Sequence, residues 1–377
     1  MWNYKEVNTL SKIKVIVVDD SAFMRKMISE IIEEDNEIEV VAKLRNGKEL
    51  IEKVDKFNPD IITLDLEMPE MDGLETLKEL HKKNKNYSIM MLSSLTIKGS
   101  EKTMECLENG AIDFITKPSG SISLDIRKVQ ENLIEKIKSI SKRGIRTRVS
   151  NKSIDVSKTT IKSNNIYNDT KVKELKKSEN INMITIKNKK IDAIVIGAST
   201  GGPKALQQLL TKFEANIGVP IFVVQHMPQG FTKAFSERLN KICNLKVLEG
   251  EEGLKIEKNV IYIAKGGYHM TVGTDGRIHL NEEDPIWGVR PAVDKLFDSA
   301  IKAYRGNLIS VVLTGMGRDG ARGTSNVKDY GGVTISEDES TCTIYGMPKA
   351  AFETGKVDLV LPLNNICDEV TKIVKKR

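Results

Sequence analysis

The sequence predicts an α/β protein with two doubly wound parallel-sheet domains and a long linker between them. In residues 12–140 and again in residues 191–377, short apolar runs alternate with helix-like stretches. This alternation is typical of parallel sheets that carry helices on both faces. Residues 141–190 lack a sustained apolar period, and the total length of 377 residues suits two to three domains.

The first domain, residues 12–140, contains five apolar runs of strand length. We expect one strand for each run and a last helix that starts near Leu124. The runs are IKVIVV (13–18), EVVAKL (39–44), IITL (61–64), YSIMML (87–92) and AIDFIT (111–116). Five such units with helix-like stretches between them predict a five-stranded parallel sheet.

The second domain, residues 191–377, repeats the pattern with seven apolar runs and six helix-like stretches. The runs are DAIVIG, PIFVVQ, LKVL, VIYIA, LISVVLT, GVTISE and VDLVLP, and the helix-like stretches lie near 204–214, 230–242, 291–304, 320–330, 347–354 and 364–376. This order predicts a second parallel sheet, of the Rossmann-like class.

Basic charge is concentrated in the segment between the two domains. The whole chain has a formal charge of +6, whereas residues 141–190 contain 14 Lys and Arg against four Asp and Glu, so the other residues together carry −4. The segment is also rich in Ser, Asn and Thr, which predicts a flexible linker; a docking segment for an acidic partner is the alternative. Because the basic character belongs to this one segment, it argues against a nucleic-acid-binding function for the whole protein.

Several other protein classes are disfavoured by what the sequence lacks. No apolar run approaches the roughly 20 residues of a membrane span, so we expect no direct membrane insertion. The first residues, MWNYKEVNTLSKIK, contain no apolar signal-peptide core. The four cysteines are far apart and form no metal-ligand pair, which fits a reducing cytoplasm. They are Cys106, Cys243, Cys342 and Cys367.

Charged side chains follow several strands of the first predicted sheet. Asp19 and Asp20 follow the first strand, Asp65 follows the third and Lys117 the fifth, while Ser93 stands at the end of the fourth. Because the carboxyl ends of parallel strands meet at one edge, these groups should form one pocket. Clustered carboxylates favour binding of Mg²⁺, and the lysine adds a positive charge that could bind a phosphoryl group. One of the carboxylates could then be the nucleophile that forms an aspartyl phosphate.

The same motifs resemble the receiver domain of two-component response regulators, which has a flavodoxin-like fold. The resemblance rests on VVDDSAFMR, TLDLEMPEMDG, SSLT and TKP, which occur in that order. It implies that Asp65 is the phosphoacceptor. It further implies that Asp19, Asp20, Asp65 and the backbone carbonyl of Glu67 hold Mg²⁺, that Ser93 is the switch hydroxyl, that Phe114 is the rotameric aromatic, and that Lys117 contacts the phosphoryl group.

The glycine-rich turn VIGASTGGP (195–203) between a strand and a helix permits two interpretations. It resembles the glycine turn of short-chain dehydrogenases, and a helix N-terminus binds phosphate well. Tyr345 and Lys349 even have the Tyr-x-x-x-Lys spacing, but Pro348 between them disfavours a regular helical turn. The turn also lacks the G-x-G-x-x-G spacing. Alternatively, it exposes Ser199 as a nucleophile.

Three residues favour the second interpretation because each follows a strand of the same predicted sheet. They are Ser199, His226 in QHMP, and Asp319 in GMGRDG. A hydrolytic triad needs a hydroxyl, an imidazole that takes its proton and a carboxylate that orients the imidazole. Their order along the chain is Ser, His, Asp, which differs from the order in α/β-hydrolases. Backbone N–H groups of residues 315–317 could stabilise an oxyanion.

The second domain resembles the methylesterase domain of the chemotaxis protein-glutamate methylesterases, the CheB family. The motifs are IGASTGGP, QHMP, YIAKGGYHM, RPAVDKLFDSA, LTGMGRDGA and YGMPKAA. The resemblance implies that Ser199 is the nucleophile, His226 the general base and acid, and Asp319 the orienting carboxylate. It also implies that Met316 contributes its backbone to the oxyanion hole and that Thr200 lies beside the nucleophile.

The two resemblances together imply a phosphorylation-regulated hydrolase of sensory adaptation in bacterial chemotaxis. It would release methanol from methyl-glutamate residues of methyl-accepting chemotaxis receptors and deamidate receptor glutamines. A chemotaxis histidine kinase would be the phosphodonor, Mg²⁺ would bind in the receiver domain, and ester hydrolysis would need no cofactor. Two alternatives remain: a receiver-linked dinucleotide oxidoreductase and a catalytically silent receptor-binding adaptor.

Overall fold

The computed structural model describes residues 12–83, 87–117, 130–141 and 189–375. The chain divides into two compact units, Met1–Arg146 and Thr147–Arg377, and each unit is described by itself. Nearly all of the predicted linker, residues 141–190, lies outside the described residues, as does the predicted helix start near Leu124.

The first unit alternates strands and helices along the chain. Its elements are β1 (Ile13–Val18), α1 (Ala22–Glu33), β2 (Ile38–Leu44), α2 (Gly47–Phe57), β3 (Ile61–Asp65), α3 (Gly73–Lys82), β4 (Ile89–Ser93), α4 (Ile97–Glu108), β5 (Asp113–Thr116) and the helical residues 130–141, here α5. The strands form one sheet in the order β2-β1-β3-β4-β5, and all four pairings are parallel. The five predicted strands are therefore confirmed.

Local sequence signals begin the helices of this unit. Ser21, Asn46, Asp72 and Thr96 are the N-cap residues of α1 to α4, and each side chain accepts a hydrogen bond from the backbone three residues later. The inner strand β1 is buried from Val15 to Val18, as expected for a parallel strand covered on both faces. The strand order reverses between β1 and β3, so the ends of these two strands bound a crevice.

The second unit has the same alternation with one added hairpin. Its elements are β6 (Ala193–Ala198), α6 (Gly202–Leu210), β7 (Ile221–Gln225), α7 (Phe231–Ile242), β8 (Lys246–Glu249), β9 (Val260–Ile263), β10 (His269–Val272), β11 (Ile278–Asn281), α8 (Val293–Tyr304), β12 (Leu308–Val312), α9 (Ala321–Asp329), β13 (Val333–Glu337), α10 (Met347–Glu353), β14 (Leu359–Leu361) and α11 (Leu363–Lys375).

The main sheet of the second unit has seven parallel strands in the order β14-β13-β12-β6-β7-β9-β8. This order confirms the predicted Rossmann-like parallel sheet. The chain runs outward from β6 through β7 and later returns to β12 on the other side of β6. The topological switch point therefore lies between β6 and β12, where ligands of such sheets bind.

The antiparallel hairpin β10–β11 is absent from the seven strands that the sequence predicts. Its strands are four residues each, and β11 is mostly half-buried, so neither makes a long apolar run. The hairpin contacts α8 and helps to cover the face of the sheet where that helix lies.

Helix α8 packs closely against the centre of the sheet. Val293, Leu296 and Phe297 are completely buried in one core with residues of β6 and β7. A Cβ atom on Gly197 of β6 would lie 2.4 Å from Val293 Cγ1, so only glycine permits this approach. The beginning of α8 is thereby fixed beside the switch point.

Candidate phosphorylation and catalytic sites

Three carboxylates lie together at the switch point of the first sheet. Asp19 and Asp20 follow β1, and Asp65 is the last residue of β3, the strand paired with β1. One oxygen of each carboxylate lies within 4.8 Å of the other two. Asp19 and Asp65 are buried, whereas Asp20 is exposed, so the pocket opens to solvent on one side.

Lys117 forms ion pairs with the two buried carboxylates. Its Nζ atom lies 2.8 Å from Asp19 Oδ2 and 2.7 Å from Asp65 Oδ2. Burial raises the pKa of Asp65 to about 6, and the Lys117 ammonium opposes part of this rise. Burial also acts to lower the pKa of Lys117, but its bonds to Asp19 and Asp65 outweigh it and keep the lysine charged.

The donor set of this pocket fits Mg²⁺. Oxygen ligands from several carboxylates are those that this ion prefers. Asp19 Oδ2 and Asp65 Oδ2 are both buried, and the Lys117 ammonium is the donor that the described residues supply to them. Glu67 lies beside them, because its backbone N–H donates to Asp65 Oδ1 at 3.4 Å. The four predicted ligand residues are therefore neighbours.

Two further residues predicted for this pocket are buried. Ser93 is the last residue of β4, the strand that pairs with β3, and its Oγ atom lies 2.7 Å from Thr103 Oγ1 in α4. Phe114 lies in β5 with 5% of its surface exposed. The Ser93 hydroxyl thus contacts α4, and Phe114 packs into the interior.

The Ser199 turn links β6 to α6 at the switch point of the second sheet. The Ser199 N–H donates to the Thr314 carbonyl at 3.0 Å, and the Gly202 N–H donates to the Ser199 carbonyl at 2.7 Å. Gly201 has φ of +76°, and a Cβ atom there would lie 2.3 Å from Thr343 Cβ. Glycine is required at position 201 for both reasons, which explains this part of the motif.

His226 stands beside this turn on the next strand. Residues 198 and 225 are paired across β6 and β7, so Ser199 and His226 are the next residue on each strand. The His226 N–H also donates to the Ala198 carbonyl at 3.1 Å. On its side chain, Nε2 lies 2.8 Å from Asp319 Oδ2, which leaves Nδ1 as the second ring nitrogen.

Asp319 accepts hydrogen bonds from the beginning of α8 as well as from the imidazole. The Val293 N–H donates to Oδ2 at 2.6 Å, and the Asp294 N–H donates to Oδ1 at 2.9 Å. Burial raises the pKa of the Asp319 carboxyl, but the bond from His226 and these two amides outweigh it and hold the pKa below its ordinary value. A helix N-terminus further favours the anion. Asp319 is therefore ionised near neutral pH.

The loop after β12 packs directly on the Ser199 turn. A Cβ atom on Gly315 would lie 2.8 Å from Ser199 Cβ, and the Gly315 carbonyl accepts from the Met347 N–H at 2.8 Å. Met316 follows and is half-buried. Thr200, next to the serine, is buried, and its Oγ1 atom has no hydrogen-bond partner among the described residues. These are the residues that the sequence predicts for oxyanion binding.

The cofactor interpretation of the glycine turn depended on Tyr345 and Lys349 sharing one helix face. Helix α10 begins only at Met347, so Tyr345 precedes it and the two residues are not one helical turn apart. The cofactor interpretation therefore loses the Tyr-x-x-x-Lys pair as supporting evidence.

Comparison with known proteins decides the family. The family model of the response regulator receiver domain matches residues 15–127, and that of CheB methylesterase matches residues 194–370. A relative from Clostridium acetobutylicum, named protein-glutamate methylesterase/protein-glutamine glutaminase, is 49% identical over 97% of this chain and 99% of its own length. The chain belongs to the CheB methylesterase family.

One further relative matches the full length of the chain, and one solved structure matches part of it. A relative from Pyrococcus abyssi with the same name is 43% identical over 97% of this chain and 94% of its own. Among solved structures, the Thermotoga maritima CheB methylesterase catalytic domain is 42% identical with a TM-score of 0.48; it covers 49% of this chain and all of that one.

Sequence reasoning missed two residues that hold the Ser199 turn and the loop after β12. Gln225 Nε2 donates to the Ser199 carbonyl at 2.9 Å, and the buried Glu337 accepts the Thr314 N–H on Oε2 at 2.7 Å. Each is a polar residue at the end of a fully buried strand, and this position was the sequence feature that could have marked it as a candidate. The partners lie 26 and 23 residues away, so the sequence did not indicate what they contact.

Membrane insertion was not expected from the sequence. Within the described residues, none of the helices is long and apolar enough to cross a membrane.

Proposed function

We propose that this protein is a phosphorylation-regulated serine hydrolase that removes methyl groups from methyl-glutamate residues of chemotaxis receptors and deamidates receptor glutamines. The main support is the His226–Asp319 pair, joined at 2.8 Å beside the Ser199 turn at a topological switch point. The names of the full-length relatives, which pair methylesterase with glutaminase, support the choice of substrate.

In the first half-reaction, Ser199 Oγ attacks the carbonyl carbon of the glutamyl methyl ester. His226 takes the hydroxyl proton on Nδ1, because Nε2 is held by Asp319. The bond from carbon to the methoxy oxygen then breaks, and methanol leaves with that proton. The product is an acyl-enzyme on Ser199.

In the second half-reaction, His226 takes a proton from water, and the resulting hydroxide attacks the acyl carbon. The bond to Ser199 Oγ breaks, the serine regains its proton, and a glutamate carboxyl group remains on the receptor. With glutamine as substrate the same steps release ammonia. The charged Asp319 stabilises the imidazolium that forms in each half-reaction.

The negative oxygen of each tetrahedral intermediate needs donors that are already in place. The backbone N–H of Met316, in the loop that packs against Ser199, fits this role, and Thr200 lies beside the nucleophile. Fixed donors of this type contribute several kcal/mol, roughly 3 to 4 for one donor in a well-studied protease.

In the receiver domain, Asp65 takes the phosphoryl group from a chemotaxis histidine kinase. Asp19, Asp20, Asp65 and the Glu67 carbonyl hold Mg²⁺, which when bound offsets the charge on the incoming phosphoryl oxygens. Lys117 Nζ, already beside Asp65, binds a phosphoryl oxygen. The Ser93 hydroxyl and the Phe114 ring change their contacts on phosphorylation and carry the signal toward α4 and β5.

The proposed domain organisation follows the sequence boundaries. A receiver domain spans residues 12–140, a flexible basic linker spans 141–190, and a methylesterase domain spans 191–377. The protein acts in the cytoplasm, where the signalling helices of the receptors and the kinase are. Phosphorylation replaces the single charge of the Asp65 carboxylate with the roughly −1.5 to −2 charges of a phosphoryl group and raises the rate of the methylesterase domain.

The proposal is tested by methanol release from methylated receptor membranes with the full-length protein. We expect a small phosphodonor to raise the rate of the wild type but not that of Asp65→Asn. Asp60→Asn, which lies just before the first residue of the same strand, is the matched control and should respond like the wild type. Absence of methanol above the membrane blank would refute the activity, and stimulation of Asp65→Asn would refute the regulation.

A further inference from the structure

Helices α8 and α9 cap each other through two buried aspartates. Neither N-cap residue, Ala292 for α8 or Gly320 for α9, makes a side-chain capping bond. Asp319, just before α9, instead accepts the first two N–H groups of α8. In return, Asp294, the second residue of α8, accepts from the turn that begins α9.

Asp294 accepts three hydrogen bonds although it is completely buried, and Arg322 Nε lies 3.7 Å from its Oδ2 atom. Its Oδ1 atom accepts the N–H groups of Gly320 at 3.0 Å and Gly323 at 2.7 Å. Its Oδ2 atom accepts the indole N–H of Trp287 at 3.1 Å. Burying a carboxylate costs free energy unless it is hydrogen-bonded, so these donors are needed to keep it in place.

The contacts of Asp294 end directly at the catalytic carboxylate. Gly320 follows Asp319 in the chain, and the Asp294 N–H donates to Asp319 Oδ1. Asp294 thus fixes Asp319 in two ways. Its side chain holds the N–H group of the following residue, Gly320, and its backbone N–H bonds to the Asp319 carboxylate. The other oxygen of Asp319 is the one that meets His226.

We propose that Asp294 is a positioning residue of the triad, which holds the residue 319–323 turn so that Asp319 meets the imidazole in a fixed orientation. Among the described residues, Asp294 makes no hydrogen bond or ion pair with the His226 imidazole or with the Ser199 turn. Its effect on catalysis passes through Asp319. This inference rests on the proposed hydrolase function and names a residue on which that function depends.

The chain provides a matched control on the same helix. Asp298, one turn after Asp294, also joins α8 to α9: it accepts from Arg322 Nη2 at 3.0 Å and from Asn326 Nδ2 at 2.8 Å. Asp298 shares the Arg322 side chain with Asp294, whose Oδ2 atom lies 3.7 Å from Arg322 Nε. Both partners of Asp298 are side chains, however, and among the described residues it accepts no backbone N–H of the residue 319–323 turn. A change at Asp298 therefore loosens the two helices without releasing Asp319.

The test compares Asp294→Asn with Asp298→Asn in the full-length protein. An asparagine at 294 keeps one oxygen for the two glycine amides but presents an amide to the Trp287 indole, so at least one donor loses its acceptor. We expect kcat for p-nitrophenyl acetate to fall roughly tenfold with KM nearly unchanged, since misplacement by about 1 Å can cost up to 100-fold. Asp298→Asn should keep kcat within about twofold.

A spectroscopic readout separates positioning from loss of stability. We expect the imidazole N–H of His226, which faces Asp319 Oδ2 at 2.8 Å, to give a downfield NMR resonance. We expect Asp294→Asn to shift or broaden this resonance and Asp298→Asn to leave it unchanged, at a temperature where both variants are folded. Unchanged kcat and resonance in Asp294→Asn, or equal losses in the two variants, would overturn the proposal.

The small ester also separates this inference from the proposed substrate. A wild type that hydrolyses p-nitrophenyl acetate but releases no methanol from receptors would refute the substrate and leave the role of Asp294 to be decided by kcat. A wild type that hydrolyses neither would refute the hydrolase function, and the His226 resonance would still decide whether Asp294 positions Asp319.

Discussion

At the residue scale, the orientation of the His226 ring defines the proposed chemistry. Its Nε2 atom contacts Asp319 at 2.8 Å, so Nδ1 is the nitrogen assigned to the serine proton. In the chymotrypsin arrangement the carboxylate binds Nδ1 instead, so a different ring nitrogen meets the carboxylate here. Asp319 also accepts hydrogen bonds from two backbone N–H groups of α8, which stabilise its negative charge beside the imidazole.

Replacing Asp319 by asparagine tests this arrangement. In Asp319→Asn, an amide N–H₂ group replaces one carboxylate oxygen. At least one donor that bonded to that oxygen in the wild type then loses its acceptor. We expect kcat to fall about 10³- to 10⁴-fold, because the ring loses its orientation and its counter-charge. The measurement is the rate of methanol release, with the melting temperature as a check of folding. A variant within tenfold of the wild type would contradict the assigned role.

His269 gives a prediction for stability because it is buried and neutral. Its Nδ1 atom accepts the Ala292 N–H at 3.2 Å, just before α8, and Nε2 lies 3.1 Å from the Asp284 carbonyl. Burial, aided by the charges of Lys295 and Arg290, lowers its pKa below 6.5, the value expected in the unfolded chain.

The sign of the resulting pH dependence follows from linkage. Below about pH 6.5 the unfolded chain takes up a proton at His269 that the folded one does not, so the free energy of unfolding falls as the pH falls toward the folded pKa. We expect urea unfolding of the second unit to show this loss between about pH 7 and pH 5, with a smaller loss in His269→Gln. Equal pH slopes in the two proteins would contradict the prediction.

At the element scale, the proposed catalytic residues follow three strands that end at one edge of the sheet. Their apolar runs could be predicted from the sequence, and so could the residues that follow them. The hairpin β10–β11 could not, because its strands are only four residues long and β11 is mostly half-buried. The contact of Asp294 with the residue 319–323 turn could not be predicted either. An aspartate at the start of a helix is usually a surface residue whose charge interacts favourably with the helix dipole.

Gly315 shows how closely two loops meet at this edge. A methyl group in Gly315→Ala would lie 2.8 Å from Ser199 Cβ and 2.4 Å from Met347 Sδ. We expect a loss of activity of at least tenfold, because the serine turn or the loop that carries Met316 must move. Gly355→Ala, whose added methyl meets nothing within 4 Å, is the control and should lose some stability but keep its activity. Full activity of Gly315→Ala would argue against a close catalytic contact.

At the scale of the whole molecule, two units with separate sheets carry two different chemistries. We propose phosphoryl transfer at the carboxylates and Lys117 of the first, and acyl transfer at the hydroxyl, imidazole and carboxylate of the second. Both sites could be predicted from residues at strand ends, because each sheet brings those ends together. Most of the basic segment between the units lies outside the described residues, and its part in regulation stays a prediction.

Metal removal should separate the two chemistries in the full-length protein. Mg²⁺ is assigned only to Asp19, Asp20, Asp65 and Glu67, so EDTA should abolish stimulation by a phosphodonor and leave basal ester hydrolysis unchanged. Asp65→Asn, which lacks the phosphoacceptor, should show the basal rate with or without EDTA. Loss of basal hydrolysis on chelation would mean that a metal also takes part in acyl transfer.

The central claim is that Ser199 forms the acyl-enzyme during hydrolysis of glutamyl methyl esters. Its most direct test is methanol release from methylated receptor membranes by the full-length wild type and Ser199→Ala, measured side by side with the phosphodonor present. The account predicts a loss on the order of 10⁴-fold or more in Ser199→Ala, with the melting temperature nearly unchanged. Methanol release by Ser199→Ala at the rate of the wild type would contradict it.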